Sequence, residues 1–501
     1  MWKIQELLAD IDGAYLQKYD HLDQIIDNFE YFSGHLNKRT NYNTTAFVCL
    51  TPERRSYINR KTVAWRDGNE QIKGRENEFG LIITEIPIDD PAVRTPQFIV
   101  KNSWEFLLQI SEKIRSNFVQ PIVAITGSAG KTSTRMMISH LFQNEKVLEN
   151  RGNHNVRFAI PLYLSKLVSE PDMLNLEVSV NALNSYDTGS MSNLVQPEIA
   201  IVTSIGEAHL SSLKDTIGVA RHKAKIFEGL KQDGTAIINT DIGEEELAIL
   251  MTAAKKRTAE ILTYSLYDQT KDVFLIETRQ EREYCEILFS FLGQEFSMNL
   301  SVASAGMISN AFAALLTVWK IKGDIRSYLP AFTTFKPLSK ILDKTNYASL
   351  NGTNFTFIDD THNASLPAMK NAIDYFDEVR TFYQGKSILV LGQIADLGST
   401  AQVIHESLKD SMEHCGADHI LGYGEHFKKI FEEEQIQDQR FKWFATLQEL
   451  SDYLEELLIE DSLILAKGSV TGSDFHDIDR YIRKIANKKQ LKVYKIGGIN
   501  L

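Results

Sequence analysis

Ten consecutive residues, Ala124-Ile125-Thr126-Gly127-Ser128-Ala129-Gly130-Lys131-Thr132-Ser133, carry the sharpest chemical signal in the chain. They follow an apolar run and precede a stretch with helical periodicity. Gly127 and Gly130 let the backbone turn tightly, so that its N–H groups, with those of Ser128, Ala129 and Ser133, can face phosphate oxygens. The start of the following helix adds partial positive charge. Lys131 can reach the terminal phosphates, and the Thr132 hydroxyl can hold a magnesium ion. The chemistry expected is the binding and use of a nucleoside triphosphate. A strict phosphate loop has another glycine five residues before Gly130; Ile125 stands there, so this loop is a shorter variant. His414, Cys415 and His419 lack a fourth partner for a structural metal site and read as structural residues.

A phosphate loop needs a parallel sheet to hold it, and the texture of the chain from residue 121 supplies one. Strands are expected over 121–126, 199–203 and 235–239, with helices over 131–142 and 216–230 between them; this alternation reads as βαβ units. An antiparallel insert is expected at 274–277 and 285–292, then a helix over 306–320. A third alternating series has strands at 355–358, 388–391, 419–422 and 463–466. At the front, helical spacing over roughly the first 45 residues (Leu7, Leu8, Ile11, Tyr15, then Ile25, Ile26, Phe29) predicts helices. Strands at 46–50, 81–84 and 98–100 follow, 53–78 reads as an irregular connection, and a helix is expected over 103–115. The fold class is α/β in three domains: an α+β N-terminal domain (1–118), a central P-loop ATPase-type parallel sheet (119–328) and a C-terminal Rossmann-like domain (329–501).

Composition bounds the function. The chain has 501 residues, 43% hydrophobic and 24% charged, which excludes a disordered or fibrous protein. A net charge of −12 argues against nucleic-acid binding, so phosphate must be gripped locally. Three scattered cysteines fit a reducing cytoplasm. The apolar stretches are too short to insert in a membrane, and the N-terminus lacks the apolar core of a signal peptide.

The loop without its leading glycine resembles that of the Mur ligase family, ATP-dependent amide ligases that build the peptide stem of peptidoglycan. The resemblance continues in order. Arg151-Gly152-Asn153-His154-Asn155, with Pro161 beyond, is similar to the family's Gly-Asn-x-Asn segment. Leu176-Glu177-Val178-Ser179 resembles the strand that delivers a metal-binding glutamate, which implies that role for Glu177. Thr203 to Leu210 resembles the loop whose histidine, here His209, is a second magnesium ligand. Val219 to Phe227 resembles the helix with the family's carbamylated lysine, here Lys223. Asn310 stands where the family has an asparagine near the nucleotide base. Asp359-Asp360-Thr361-His362-Asn363-Ala364 resembles the Asp-Asp-x-x-Asn-Ala motif, whose ribose-binding aspartate would be Asp360. Leu391-Gly392 to Leu397-Gly398, His405 and Lys467-Gly468-Ser469 complete the pattern.

The resemblance implies ATP and Mg2+ as cofactors, with Lys131, Glu177, His209 and Lys223 catalytic. Thr132, Glu177, His209 and a carbamate on Lys223 would hold metal, and Lys340, after the domain hinge, would join the nucleotide site. The Asp-Asp-x-x-Asn-Ala form and the Leu-Gly pair most resemble the branch that adds D-Ala-D-Ala to a UDP-MurNAc peptide, which implies that reaction through an acyl phosphate. A cytoplasmic monomer is expected. The chain departs from the family pattern at Lys225, Met307, Lys340 and Val470, and its first 118 residues match poorly. Two alternatives stay open at this point. One is a paralogue joining an amino acid or peptide to a non-peptidoglycan carboxylate; the other is a non-catalytic nucleotide-binding partner protein.

Overall fold

The computed structural model describes residues 2–16, 22–37, 40–150, 152, 154–206, 213–258, 260–348, 354–433, 438–489 and 491–494. The run Ile122–Thr126 is buried throughout, as a strand covered by helices on both faces must be. It pairs in parallel with Ile199–Val202 on one side and Met173–Glu177 on the other. Beyond these the sheet continues in parallel through Thr235–Asn239, Glu260–Ser265 and Val273–Gln280 on one flank, and Val147–Glu149 on the other. An antiparallel extension, Val273–Gln280 with Cys285–Phe291 and Gln294–Leu300, completes it where an insert was expected. From Ile122–Thr126 the chain goes out to Val147–Glu149, returns to Met173–Glu177, then crosses to Ile199–Val202 on the opposite side. That reversal opens a crevice at the carboxyl ends of the strands, where such sheets bind ligands.

The front of the chain corrects the expectation of helices. Among the described residues only Ile4–Leu8 is α-helical before residue 45, while Ala14–Tyr15, Ile25–Ile26 and Asn28–Glu30 are strands. Asn28–Glu30 joins a sheet in parallel with Thr45–Val48, followed by Leu81–Thr84 and Gln97–Ile99. Neighbours in the sheet and the stiffness of Ile25 and Ile26 outweigh apolar spacing that also fitted a helix. The stretch read as irregular holds two short helices: Pro52–Asn59, capped by Thr51 with proline in its first turn, and Gly68–Ile72, capped by Asp67. The helix expected over 216–230 is α-helical only over Thr216–Lys223 and tightens to a 3-10 helix over Ala224–Gly229.

In the C-terminal sheet Phe441–Phe444, His419–Tyr423, Ser387–Leu391, Ser462–Lys467 and Asn354–Asp360 are parallel neighbours, extended by antiparallel Asp343–Ala348 and Lys492–Tyr494. Asp360 and Lys467 end adjacent strands in register. Helix Ala305–Lys322 is buried on nearly every side and packs on Lys131–Leu141. With helix Leu366–Val379 it forms one apolar cluster that reaches from Ile125 to Leu465. Ion pairs Arg282–Asp461 (2.5 Å) and Lys344–Glu283 (3.2 Å) tie the antiparallel extension to the C-terminal sheet. No described helix is long and apolar enough to cross a membrane.

Candidate active site

The phosphate loop runs from the end of strand Ile122–Thr126 to the start of helix Lys131–Leu141. Its glycines are required by close neighbours. A Cβ on Gly127 would lie 1.9 Å from Thr203 Oγ1, and one on Gly130, at φ +83°, would lie 2.3 Å from Asn310 Oδ1. The segment after the neighbouring strand braces the loop: Ser128 N donates to Ser204 O (3.0 Å), Ala129 N to Ser204 Oγ (2.8 Å) and Gly206 N to Ser128 Oγ (3.0 Å). Lys131 Nζ donates to Gly127 O at 2.8 Å. Burial lowers the Lys131 pKa, while the Glu177 carboxylate acts to hold the proton on.

Glu177 ends the strand next to the loop, which is why a residue 45 positions from Thr132 can meet it. The Thr132 hydroxyl donates to Glu177 Oε2 at 2.8 Å, and Asn155 Nδ2 donates to Oε1 at 2.7 Å. Asn150 fixes the Glu177 backbone, accepting from its N–H and donating to its carbonyl, both at 2.8 Å. Lys223 is 1% exposed and sits within electrostatic reach of both Lys131 and Glu177. Burial, reinforced by the positive charge of Lys131, holds its pKa well below that of a free lysine. Next to it, His222 donates from Nε2 to Val180 O at 2.9 Å, tying the end of this helix to the segment after Glu177. His209, with Arg151 and Asn153, lies outside the described residues.

The C-terminal sheet faces the loop across a cleft of about 690 Å3, lined by 128–133 on one side and by Asp360, His362, Ile394, Asp396, Gly398 and Lys467 among others on the opposite one. Asp360 Oδ2 and Lys467 Nζ pair at 2.9 Å; Lys467 also donates to Asn363 O, and Leu342 N donates to Asp360 Oδ1. Burial raises the Asp360 pKa against the pull of Lys467. His405 is a strut behind this wall: its Nε2 accepts from Ile394 N at 2.9 Å, so its proton is on Nδ1, toward Ala401 O.

Two further residues singled out in the sequence lie as follows. The Lys340 ammonium pairs with Asp479 (3.1 Å), donates to His476 O and lies 4.0 Å from Asp359 Oδ2; residue 340 itself has a left-handed backbone. Asn310 supports the loop from behind, its Oδ1 accepting from Thr134 Oγ1 at 3.2 Å. It also lines a cavity of about 300 Å3 with Asn239, Asp241, Tyr267 and Asn371, which adjoins the cleft at residues 128–130 and has room for a base. The sequence reading assigned no role to Asn150, the loop-bracing hydroxyls of Thr203 and Ser204, or His362. Among the described residues no three His, Cys, Asp or Glu side chains converge on a metal-sized site. Thr132 Oγ1 and Glu177 do offer hard oxygen donors beside the phosphate cradle, which fits magnesium, an ion that takes its remaining ligands from water and phosphate.

Family models for the Mur ligase middle domain and for the Mur ligase, glutamate ligase domain match residues 125–318 and 348–470. The UDP-N-acetylmuramoyl-tripeptide–D-alanyl-D-alanine ligase of Buchnera aphidicola subsp. Acyrthosiphon pisum is 28% identical over 391 residues, covering 75% of this chain and 79% of its own length. The enzyme of that name from Escherichia coli (strain K12) is 25% identical over 393 residues, 78% of this chain and 82% of that one. Among solved structures, MurF from Acinetobacter baumannii superposes with a TM-score of 0.74 at 23% identity, covering 97% of this chain and 99% of that one. MurF ligase from Thermotoga maritima in complex with ADP gives 0.72 at 20% identity, covering 93% and 99%. These two structures share the fold.

Proposed function

We propose, from the premise that this chain belongs to the Mur ligase family of ATP-dependent amide-forming ligases, that it joins D-alanyl-D-alanine to UDP-N-acetylmuramoyl-tripeptide with release of ADP and phosphate. The observation that carries the reading is the opposition of a complete phosphate loop, with Glu177 bonded to Thr132, to the Asp360–Lys467 pair across one cleft.

Lys131 and the amides of the loop hold the β- and γ-phosphates, and Asp360 holds the ribose. Thr132 and Glu177 would hold magnesium, which supplies neutralisation of phosphate charge. A carboxylate oxygen of the tripeptide attacks the γ-phosphorus while its bond to the β–γ bridging oxygen breaks and ADP leaves. The amine nitrogen of the dipeptide then attacks the acyl carbon, phosphate departs, and the nitrogen's proton passes to solvent. The protein's share is positioning and electrostatics.

Lys223 is suited to carry a carbamate. Its environment favours the neutral amine, the form that adds to CO2, and loss of a proton then leaves an anion where a cation stood. With His209 that anion would complete a second magnesium site. The acceptor's nucleotide-sugar end has room in a cavity of about 750 Å3 lined by Asn28, Glu30 and His35 from the N-terminal part and Lys146, His154 and Lys166 from the central part. On this reading residues 1–118 hold the acceptor, 119–328 bind ATP, 329–501 close over it, and the enzyme works as a cytoplasmic monomer.

The test is phosphate release from Mg-ATP with both substrates together and with each alone, products identified by mass. Release that needs both, with the amide formed, supports the assignment. A protein that binds ATP but stays silent with this pair refutes the substrate assignment.

A further inference from the structure

Resting on that reading, we propose that Asn371 recognises the base of bound ATP, its Oδ1 accepting from the 6-amino group of adenine and its Nδ2 donating to the neighbouring ring nitrogen. The cavity with room for a base shares residues 128–130 with the phosphate cleft, so a nucleotide whose phosphates lie on the loop has its base within reach of it. One wall comes from the central part, including the start of helix Ala305–Lys322; the other is Ser365, Pro367 and Asn371 of the C-terminal part. Asn371 stands on helix Leu366–Val379, outside every motif of the sequence. Its amide reaches the first turn of the opposite helix, where a Cβ on Gly306 would lie 3.5 Å from Asn371 Nδ2.

Hydrogen-bond accounting singles out this side chain. Asn239 is committed at both ends, Nδ2 donating to Thr203 O (2.8 Å) and Oδ1 accepting from Asp241 N (2.9 Å). Asp241 accepts from Ser265 Oγ with one oxygen and from Leu266 N with the other, and Asn310 Oδ1 is held by Thr134. Asn371 is half-buried, and among the described residues neither end of its amide has a hydrogen-bond partner; both ends stay open to solvent. A free amide sets a donor and an acceptor side by side. The amino edge of adenine sets an acceptor and a donor at matching spacing, and an asparagine pairs with it through two bonds. Tyr267, 79% exposed where it lines the cavity, gives a flat ring a face to stack on. The base is then read by a different part of the chain from the one that grips the phosphates.

The experiment measures, by calorimetry on the full chain, binding of Mg-ADP and of the Mg complex of purine riboside 5′-diphosphate, which lacks only the 6-amino group. Wild type should prefer ADP by about tenfold, the worth of one buried hydrogen bond. Asn371→Ala should weaken ADP by about fivefold or more and cut that preference to about twofold or less. Asn371→Asp keeps the acceptor and loses the donor, so both nucleotides should weaken while the preference for ADP stays. Wild type without the preference, an alanine variant that keeps it, or ADP weakened by less than about fivefold in that variant would overturn the proposal. Melting temperatures without nucleotide separate a lost contact from a lost fold. Should alanine lower them, the near-isosteric aspartate carries the test, and unchanged binding of both nucleotides to it would overturn the proposal. Wild-type protein that binds neither nucleotide would overturn the ligase reading beneath it.

Discussion

Glu177→Gln separates the charge of the site from its shape. The carboxylate is 4% exposed and accepts from Thr132 (2.8 Å) and Asn155 (2.7 Å). Glutamine keeps a carbonyl toward Asn155, and its amide can donate to a rotated Thr132 hydroxyl, so both bonds survive as neutral ones. Bonds to a charged group are worth about 1.5–3 kcal/mol and neutral ones about 0.5–1.5, so roughly 2 kcal/mol is lost over the pair. Removing a buried carboxylate relieves a desolvation cost of several kcal/mol. The two effects oppose, and the melting temperature should stay within a few degrees of wild type. Catalysis has no such offset. The negative charge that would hold magnesium against the phosphates is worth several kcal/mol, and at about 1.4 kcal/mol per decade its loss lowers kcat/KM by about 10^2- to 10^3-fold. Lys131 and Lys223 also lose the carboxylate that holds their protons on, so both pKa values fall further. Phosphate release at limiting magnesium, beside a melting curve, reads both predictions. A folded variant within about threefold of wild-type kcat/KM would refute the assignment of Glu177 to the metal, given the size of the expected effect.

Lys223→Ala should lose turnover while remaining folded, and short-chain carboxylates should restore part of it by replacing the carbamate. Full activity without rescue would sink the carbamate assignment. Stability against pH gives an independent check on the C-terminal sheet. Burial pushes Asp359 from 3.8 up to about 6, so native protein keeps a proton that unfolded chain releases, and stability falls by up to about 3 kcal/mol as pH rises across that window. Burial takes His405 from 6.5 down to about 4, so unfolded chain binds a proton that native protein does not, and stability rises by up to about 3 kcal/mol as pH rises through that range. These slopes oppose, so Asp359→Asn should steepen the rise of denaturant midpoints with pH between about 4 and 6 relative to wild type. A variant with the same pH dependence as wild type would contradict it.

Much of this architecture is legible where the chain is buried on both faces. Runs such as Ile122–Thr126 and Ser387–Leu391 have one use, a central parallel strand, and the loop after the first carries its own chemistry in its glycines. The front of the chain is harder because short, partly buried strands such as Ile25–Ile26 owe their form to neighbours that local spacing does not reveal. Site residues divide in the same way. Thr132 and Glu177 could be paired in advance through the family resemblance; in the fold Thr132 opens the helix after the loop and Glu177 ends the neighbouring strand. Asn150 clamps the Glu177 backbone from the position just before the Arg151–Asn155 segment, where the sequence assigned it no role. Lys340 has the charge for a phosphate contact, but in the fold its ammonium pairs with Asp479, a partner 139 positions away that side-chain type does not announce.

The apolar cluster that passes from helix Ala305–Lys322 to helix Leu366–Val379 limits how the cleft walls can move. Parting them like a hinge would wet side chains such as Phe312, Met369 and Phe376, at about 2.5 kcal/mol for each 100 Å2 of apolar surface exposed. Sliding one packed helix along the other keeps that surface dry. The Arg282–Asp461 and Lys344–Glu283 pairs lie nearer the solvent and can exchange partners with water during such a slide at little net cost. A movement of the walls that keeps this cluster dry would be a short shear along the packed helices. The travel of such a shear would be set by how far one row of side chains can step over the next.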